Sequence, residues 1–541
     1  MILILAAALL ASASPADEHA HGHGPQLGKV TFQTSCNAQA ASLTQLGLAW
    51  LHSFEYQRAE RSFAEAAAAD PSCGIAHWGA AMSYYHPLWA APTPDEFQKG
   101  ASALAKARSA GARSQRESDY IAALGAFYDA AGSHGERVLA YEKAMDRLQR
   151  SYPGDSEAAI FHALSLIAAG TIDKDPAYTR ERRAGEILNA ALKRQPDHPG
   201  VAHYLIHSFD YPALADLALP AARRYAGIAP DSAHAQHMPS HIFTRLGLWD
   251  EAIASNRAAE AAAKAWAKAS GMSGAWDQQL HAMDYLTYAY LQSGRDAEAE
   301  TVLRELTAIA RANPTPTTAY AVTSIPARML LERRRWEEAA TFEMPARLGG
   351  LEALSRHKWA EANLRFANAV GAARMGDTAR AKAAVARLGE IEASVVVPPG
   401  EYDWRKQVAI QRQVAEGWLA YAEGRKDDAV RVMRAAADLD DATEKHPVTP
   451  GSILPAREQL GELLVELGEG KEALAAFEAS LKRAPKRLAG LYGAGRAARL
   501  AGDAAQARRY FAELVEVTKA ADGNRAEVKE ARAFRAQTAG R

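Results

Sequence analysis

The residues of this chain best suited to chemistry are its histidines. Of the 17 in 541 residues, seven (His198, His203, His207, His234, His237, His241 and His281) fall within 84 residues, where an even spread would put fewer than three. His203 and His207 are four apart, His237 and His241 are four apart, and the second pair repeats the first after 34 residues. On a helix, residues four apart share a face, so each pair can aim two imidazoles at one point. Neutral imidazole is a ligand for Zn, Cu, Ni and Fe, and a carboxylate such as Asp284 can be a ligand or can orient one. His203, His207, His237, His241, His281 and Asp284 are therefore read as one transition-metal site, for Zn or Cu. The set can close around an ion or leave a position open to water. Neither pair carries Glu directly after its first His, so this is not the metalloprotease signature. The structural alternative is that the histidines pack on aromatic neighbours or meet the acidic groups of a bound peptide.

Other chemistry is sparse. The chain has no Gly-x-Ser-x-Gly elbow, Walker loop or dinucleotide fingerprint. Catalysis would have to be metal-assisted, by Zn lowering the pKa of its water to about 7, with Asp277 or Asp284 as base. No catalytic residue is assigned. Lys and Arg number 63 against 64 Asp and Glu. No sequence-wide positive field is available to hold nucleic acid. Hydrophobic residues are 48% and charged residues 23% of the chain, enough for a core, and the apolar content is mainly Ala and Leu, which favours helix.

The elements that must position the histidines are legible as repeats. Leu43, Leu46-Gly47, Trp50, Ala59, Phe63 and Pro71 form one unit. Leu460-Gly461, Ala473, Phe477 and Pro485 return 34 residues later as Ala494-Gly495, Ala507 and Phe511. Pro196 and Pro230 are also 34 apart, and Gly247-Leu248-Trp249-Asp250-Glu251-Ala252-Ile253 has the form of a turn between two helices. Weaker copies of that turn occur at Gly294/Ala299, Arg334/Ala339, Gly376/Ala381 and Gly424/Ala429. A period of this length is the mark of a helical repeat array, and the pattern resembles the tetratricopeptide repeat family, in its exported bacterial form, over nearly the whole chain.

The resemblance implies an all-α, right-handed superhelical solenoid whose first helices line a concave face that binds peptides. In the frame set by Gly247, Ala252 and Ala259, the resemblance places His234, His237 and His241 on that face, with His281 and Asp284 at equivalent places one unit on. His162, Tyr204, His234, Tyr285 and Tyr288 are the expected groove residues. Cys36 and Cys73 fall at the two ends of the first hairpin and are expected to form a disulfide. The divisions expected are a solenoid over 36–440 with degenerate units around 90–195, a Pro-rich loop at 441–455 and C-terminal repeats at 456–541. His446 through Pro455, like Pro87 to Pro94, Pro314 to Pro316 and Pro398 to Gly400, either caps the groove or absorbs irregular repeat lengths. Glu444 and His446 sit on a loop that could reach across a turn of the superhelix. Structural roles are expected for His77, His86 and His446.

At the N-terminus, Met1 to Leu10 is uncharged and apolar, and Ala11-Ser12-Ala13 precedes a polar stretch. This reads as a signal peptide over 1–13, followed by a flexible His- and Gly-containing segment at 14–35 in which His19, His21 and His23 could hold a metal loosely. No later apolar run is long enough to span a membrane. The expected protein is periplasmic or secreted. It binds a peptide or small ligand at a His-lined metal site, with a plain interaction scaffold or a metal-dependent hydrolase as alternatives.

Overall fold

The structure is a computed structural model that describes residues 24–88, 91–345, 351–398, 401–523 and 525–539. The leader and His19, His21 and His23 lie outside the described residues. The described chain is all-α, a tetratricopeptide-like solenoid of antiparallel helix pairs, beginning with Ala38–His52 and Tyr56–Ala69 and ending with Leu488–Leu500 and Ala504–Val517 under the terminal helix Ala526–Ala539. No strand occurs among the described residues, only an isolated bridge between Ala275 and Ala312.

One contact explains the pairing. In the hairpins at both ends of the array a glycine faces a phenylalanine sixteen residues on: a Cβ on Gly47 would sit 2.7 Å from Phe63, on Gly461 2.9 Å from Phe477, and on Gly495 2.6 Å from Phe511. The first two rings are clasped from the other side by the next hairpin, where a Cβ on Gly79 or Gly493 would meet the same phenylalanine at 2.3 or 2.2 Å. Phe63, Phe477 and Phe511 are completely buried. The absence of side chain on one helix makes room for the ring that locks two units together.

The 90–195 stretch, expected to be degenerate, forms regular hairpins: Pro94–Ala110 pairs back on Gly74–Met82, and Gln115–Tyr128 with His134–Ser151 and Ser156–Asp173 with Thr179–Arg194 follow. The signature is lost because larger groups do the joining. Tyr128 lies over Gly100 and donates its hydroxyl to the Ala81 carbonyl at 2.8 Å. Residues 24–35, part of the 14–35 segment expected to be flexible, are tied down. Leu27 and Phe32 are buried, Lys29 N–H donates to the Asp197 carbonyl at 2.9 Å, and Arg116 and Arg113 donate to the Gln33 and Ser35 carbonyls. Cys36 and Cys73 are bridged, with Cα atoms 5.2 Å apart.

The array turns back on itself. Trp249 donates its indole N–H to the Lys486 carbonyl at 3.0 Å. Arg487, fully buried, reaches Glu332 at 2.7 Å, Glu458 at 2.9 Å and the Tyr288 hydroxyl at 2.9 Å. Arg525 pairs with Asp296 at 2.8 Å. The 443–455 segment lies in the angle between the two parts: Lys445 approaches Asp210 at 3.3 Å, Tyr285 donates to the Pro447 and Thr449 carbonyls, and Arg328 donates to the Gly451 and Ser452 carbonyls.

Ala252 and Ala473 are fully buried between paired helices. Ala252→Trp and Ala473→Trp are each expected to lose about 1–3 kcal/mol or more by overpacking, with Glu298→Ala close to neutral; urea denaturation of the three variants checks this, and equal losses would contradict the repeat frame. Two free thiols in the denatured, unreduced protein would contradict the bridge.

Candidate metal centre

Four helices, on the leading side of three successive hairpins, carry the histidines. His203 and His207 lie on Pro199–Phe209, His234 and His237 on Ala233–His237, His241 on Pro239–Leu246 and His281 on Asp277–Ser293. Pro239 breaks what would have been one helix into two, because it has no N–H to continue the ladder, yet His237 and His241 still face each other across the break. His203, His234, His237, His241 and His281 expose no more than 3% of their surface, and only His207 is partly exposed.

The imidazoles form two triads instead of one shared site. His203, His207 and His234 make the first, and His237, His241 and His281 the second, each with three ligand nitrogens within 4.8 Å of one another. A second residue pair one repeat along stacks beside the first and does not merge with it, and each pair takes its third imidazole from the first helix of the following hairpin.

Proton placement is most restrictive in the second triad. Asn256 donates its amide to the Ala252 carbonyl at 2.8 Å, which turns its Oδ1 toward His237 Nδ1 at 2.7 Å. His241 Nδ1 lies 2.9 Å from Asp210 Oδ2. Both acceptors require the ring proton on Nδ1. The two Nε2 atoms, 3.0 Å apart, then both present lone pairs in a buried site. Neither can donate to the other. Two ligand nitrogens at about 2.0–2.1 Å from one ion would stand about 2.9–3.4 Å apart for right-angled to tetrahedral geometry, so the observed spacing suits an ion between them. In the first triad His203 Nδ1 donates to the His52 carbonyl at 2.6 Å, leaving its Nε2 lone pair facing the Nε2 atoms of His207 and His234, each at 3.1 Å. His203 is braced by Tyr225, stacked at 5.1 Å, and Phe54, edge-on at 4.4 Å.

Burial sets the charge state. Loss of solvation, followed by repulsion from neighbouring imidazoles, holds His203, His207, His234, His237 and His281 well below the ordinary histidine pKa. Burial also lowers His241, against the pull of Asp210. All six are neutral at neutral pH, the state in which imidazole binds metal. Lys445, desolvated where the 443–455 segment meets Asp210, is pushed down to about 8.

A third group, His52, Glu157 and His198, has the same ligand types but a different character. Glu157 accepts from His52 Nε2 at 2.9 Å and His198 Nε2 at 2.7 Å, His52 Nδ1 accepts from the Tyr204 hydroxyl, and His198 Nδ1 faces the Val201 N–H. Every proton has an acceptor, so this group is a closed hydrogen-bonded brace. It supports the first triad through the His52 carbonyl. Burial would raise Glu157, but the two imidazoles hold its carboxyl well below the usual range.

Other expected site residues are placed differently. Asp284 joins neither triad: its Oδ1 is held by Ser324 at 2.8 Å and Arg328 at 3.3 Å. The reason is register, since Arg328 on the following hairpin needs a buried counter-charge. Asp277 is engaged by Thr315 and Asn313. His162 faces Gln149 and Glu142, outside both triads. Tyr204 supports His52, Tyr288 accepts from Arg487, and Tyr285 lies 3.4 Å from His241 Nε2. His446 packs against Trp404 and Tyr402, and His86 against Tyr56. Asn256, Asp210, Lys445 and Glu157 escaped sequence reasoning. A polar residue, Asn256, at a core place of a repeat was the one visible signal.

No sequence-family profile matches the chain, nor does any curated protein. Solved structures with likeness to it include the human IFIT1 dimer with m7Gppp-AAAA (13% identity over 82% of this chain and 90% of that one, TM-score 0.38). Others are the TPR domain of P58(IPK) (14%, 93% and 100%, TM-score 0.21) and Naa15/Naa10 bound to HypK-THB (11%, 93% and 92%, TM-score 0.26). Likeness of this order assigns no activity to the chain.

Glu157→Gln leaves one imidazole N–H without its acceptor and is expected to cost about 1–3 kcal/mol at neutral pH. Because the native carboxyl titrates below its ordinary 4.5, the stabilisation is complete above that value and fades as pH falls through the depressed one. The wild-type and variant denaturation curves should therefore converge in acid; a gap unchanged below pH 4 would contradict the brace.

Proposed function

We propose that this is an exported helical-repeat protein that binds a transition metal, Zn or Cu, through the Nε2 atoms of buried histidine triads. The observation that carries the reading is the His237–His241 pair, with both Nδ1 protons committed and both Nε2 lone pairs converging at 3.0 Å. Two buried acceptors held against each other with no proton between them are costly, and an ion gives these two nitrogens a common partner. The Nδ1 partners Asn256 and Asp210 are the kind of outer contacts that fix ligand orientation. Export is supported by the Cys36–Cys73 bridge, since disulfides persist in oxidising compartments, and no described helix is long and apolar enough to cross a membrane.

The expected peptide or protein ligand has less support at this place. The chain's own 443–455 segment covers the second triad through Tyr285 and Asp210, so a protein partner would meet another face of the solenoid. A hydrolase would need a general base, and the carboxylates considered for it are engaged elsewhere. The competing scaffold reading has one specific observation in its favour: Asp210 could hold a proton on His241 that is then shared with His237.

Elemental analysis of protein purified without a His tag and dialysed after Zn or Cu loading decides between them. Stoichiometric metal is expected, with His237→Ala and His241→Ala each losing the ion of that triad while keeping helical content. Asn256→Ala should weaken affinity by about 10–100-fold. A metal-free wild type after loading would leave only the scaffold.

A further inference from the structure

Taking the metal-binding reading as its basis, we propose that the two triads form one binuclear copper centre, one ion on each. The triads are adjacent. Across them, His207 and His241 have ring centroids 6.5 Å apart and His234 and His237 6.4 Å, little more than the 6.2 Å between His241 and His281 inside one triad. Each triad has its own converging Nε2 contacts, at 3.1 Å in the first and 3.0 Å in the second. No histidine is shared, and each triad is built the same way, from a four-spaced pair and one imidazole from the first helix of the following hairpin.

The chemistry of the donors selects the metal. All six ligands are neutral imidazoles, which suit Cu and Zn, and no carboxylate belongs to either triad, which disfavours the hard cations and the two-His, one-carboxylate iron sites. Charge narrows the choice further. The carboxylate nearest the ligands, Asp210, is already matched by Arg245 at 2.8 Å and Lys445 at 3.3 Å. Beside the first triad, Glu55 accepts the His234 backbone N–H and is itself paired with Arg58 at 3.9 Å, so these two carboxylates leave most of the four positive charges of two dications uncompensated. Repulsion scales with the product of the charges, so a monovalent pair meets about a fourth of it, and copper is the imidazole metal with a stable monovalent state.

A monovalent copper pair has a natural co-reactant in dioxygen. Each ion gives up one electron, dioxygen takes both and becomes the peroxide dianion between them, and its O–O bond falls from double to single. No proton moves, and the net charge of the site stays at two positive. Access fits a small reactant: five of the six imidazoles are buried and only His207 is partly exposed.

The test is an anaerobic Cu(I) titration of the full-length, disulfide-bonded protein against a competing chelator, followed by metal analysis and, after air, by spin-counting electron paramagnetic resonance. Two ions per chain are expected, with most of the copper spin-silent after oxidation because the two centres couple. His207→Ala and His241→Ala should each retain one ion and show its full spin. One ion per wild-type chain, or two with full spin intensity, would overturn the binuclear centre while leaving metal binding intact. No bound copper or zinc in the wild type would overturn both. The wild-type ion and spin counts hold even where a variant fails to fold.

Discussion

A neutral imidazole has two nitrogens and one proton, and where that proton is committed decides what the other nitrogen can do. In this protein the commitment is made by groups outside the histidine pairs: the Asn256 amide oxygen for His237, the Asp210 carboxylate for His241 and the His52 carbonyl for His203. Those three acceptors belong to three different repeats. The histidine face of the solenoid therefore depends on repeats being stacked at the right rotation, since each imidazole is oriented by a helix other than its own. The Phe–Gly clasp that sets that stacking at the ends of the array acts at the level of the fold, and the acceptors act at the level of the proton.

The contrast with His52, Glu157 and His198 shows how much the choice of partner matters. There a carboxylate takes the place of a third imidazole and both of its oxygens receive a proton. The same residue types, equally buried, become a brace. A cluster of ligand-type side chains is thus distinguished by whether its lone pairs and protons balance, and burial makes the imbalance consequential because water cannot correct it.

Much of this was legible in the sequence and some could not have been. The all-α repeat fold followed from Gly47, Phe63, Gly461 and Phe477, because the space one residue leaves and the next fills is a local property with a fixed spacing. The histidine pairs were visible for the same reason. Their division into two triads was not, since it turns on which later helix supplies the third ring, and Asp284 was misplaced because its counter-charge, Arg328, lies 44 residues on. The order of residues 24–35 was hidden as well: a segment without periodicity gains its structure from the surface it crosses, here the carbonyl of Asp197 and the side chains of Arg113 and Arg116.

The return of the last repeats onto the middle ones changes what kind of object the array is. An open solenoid is nearly one-dimensional, each unit touching its neighbours, and its ends can fray without consequence for the centre. Here Arg487 ties Glu458 to Glu332 and Tyr288, and Arg525 ties the end of the chain to Asp296. These contacts span about two hundred residues, so the middle repeats receive their last partners only when the C-terminus has been synthesised. The Lys445 and Thr449 contacts over the histidine helices are therefore among the last to be completed. The cover of the cradle rests on the same return contacts that close the ends of the array, so loosening the C-terminal repeats would loosen the floor and the roof of the histidine face together.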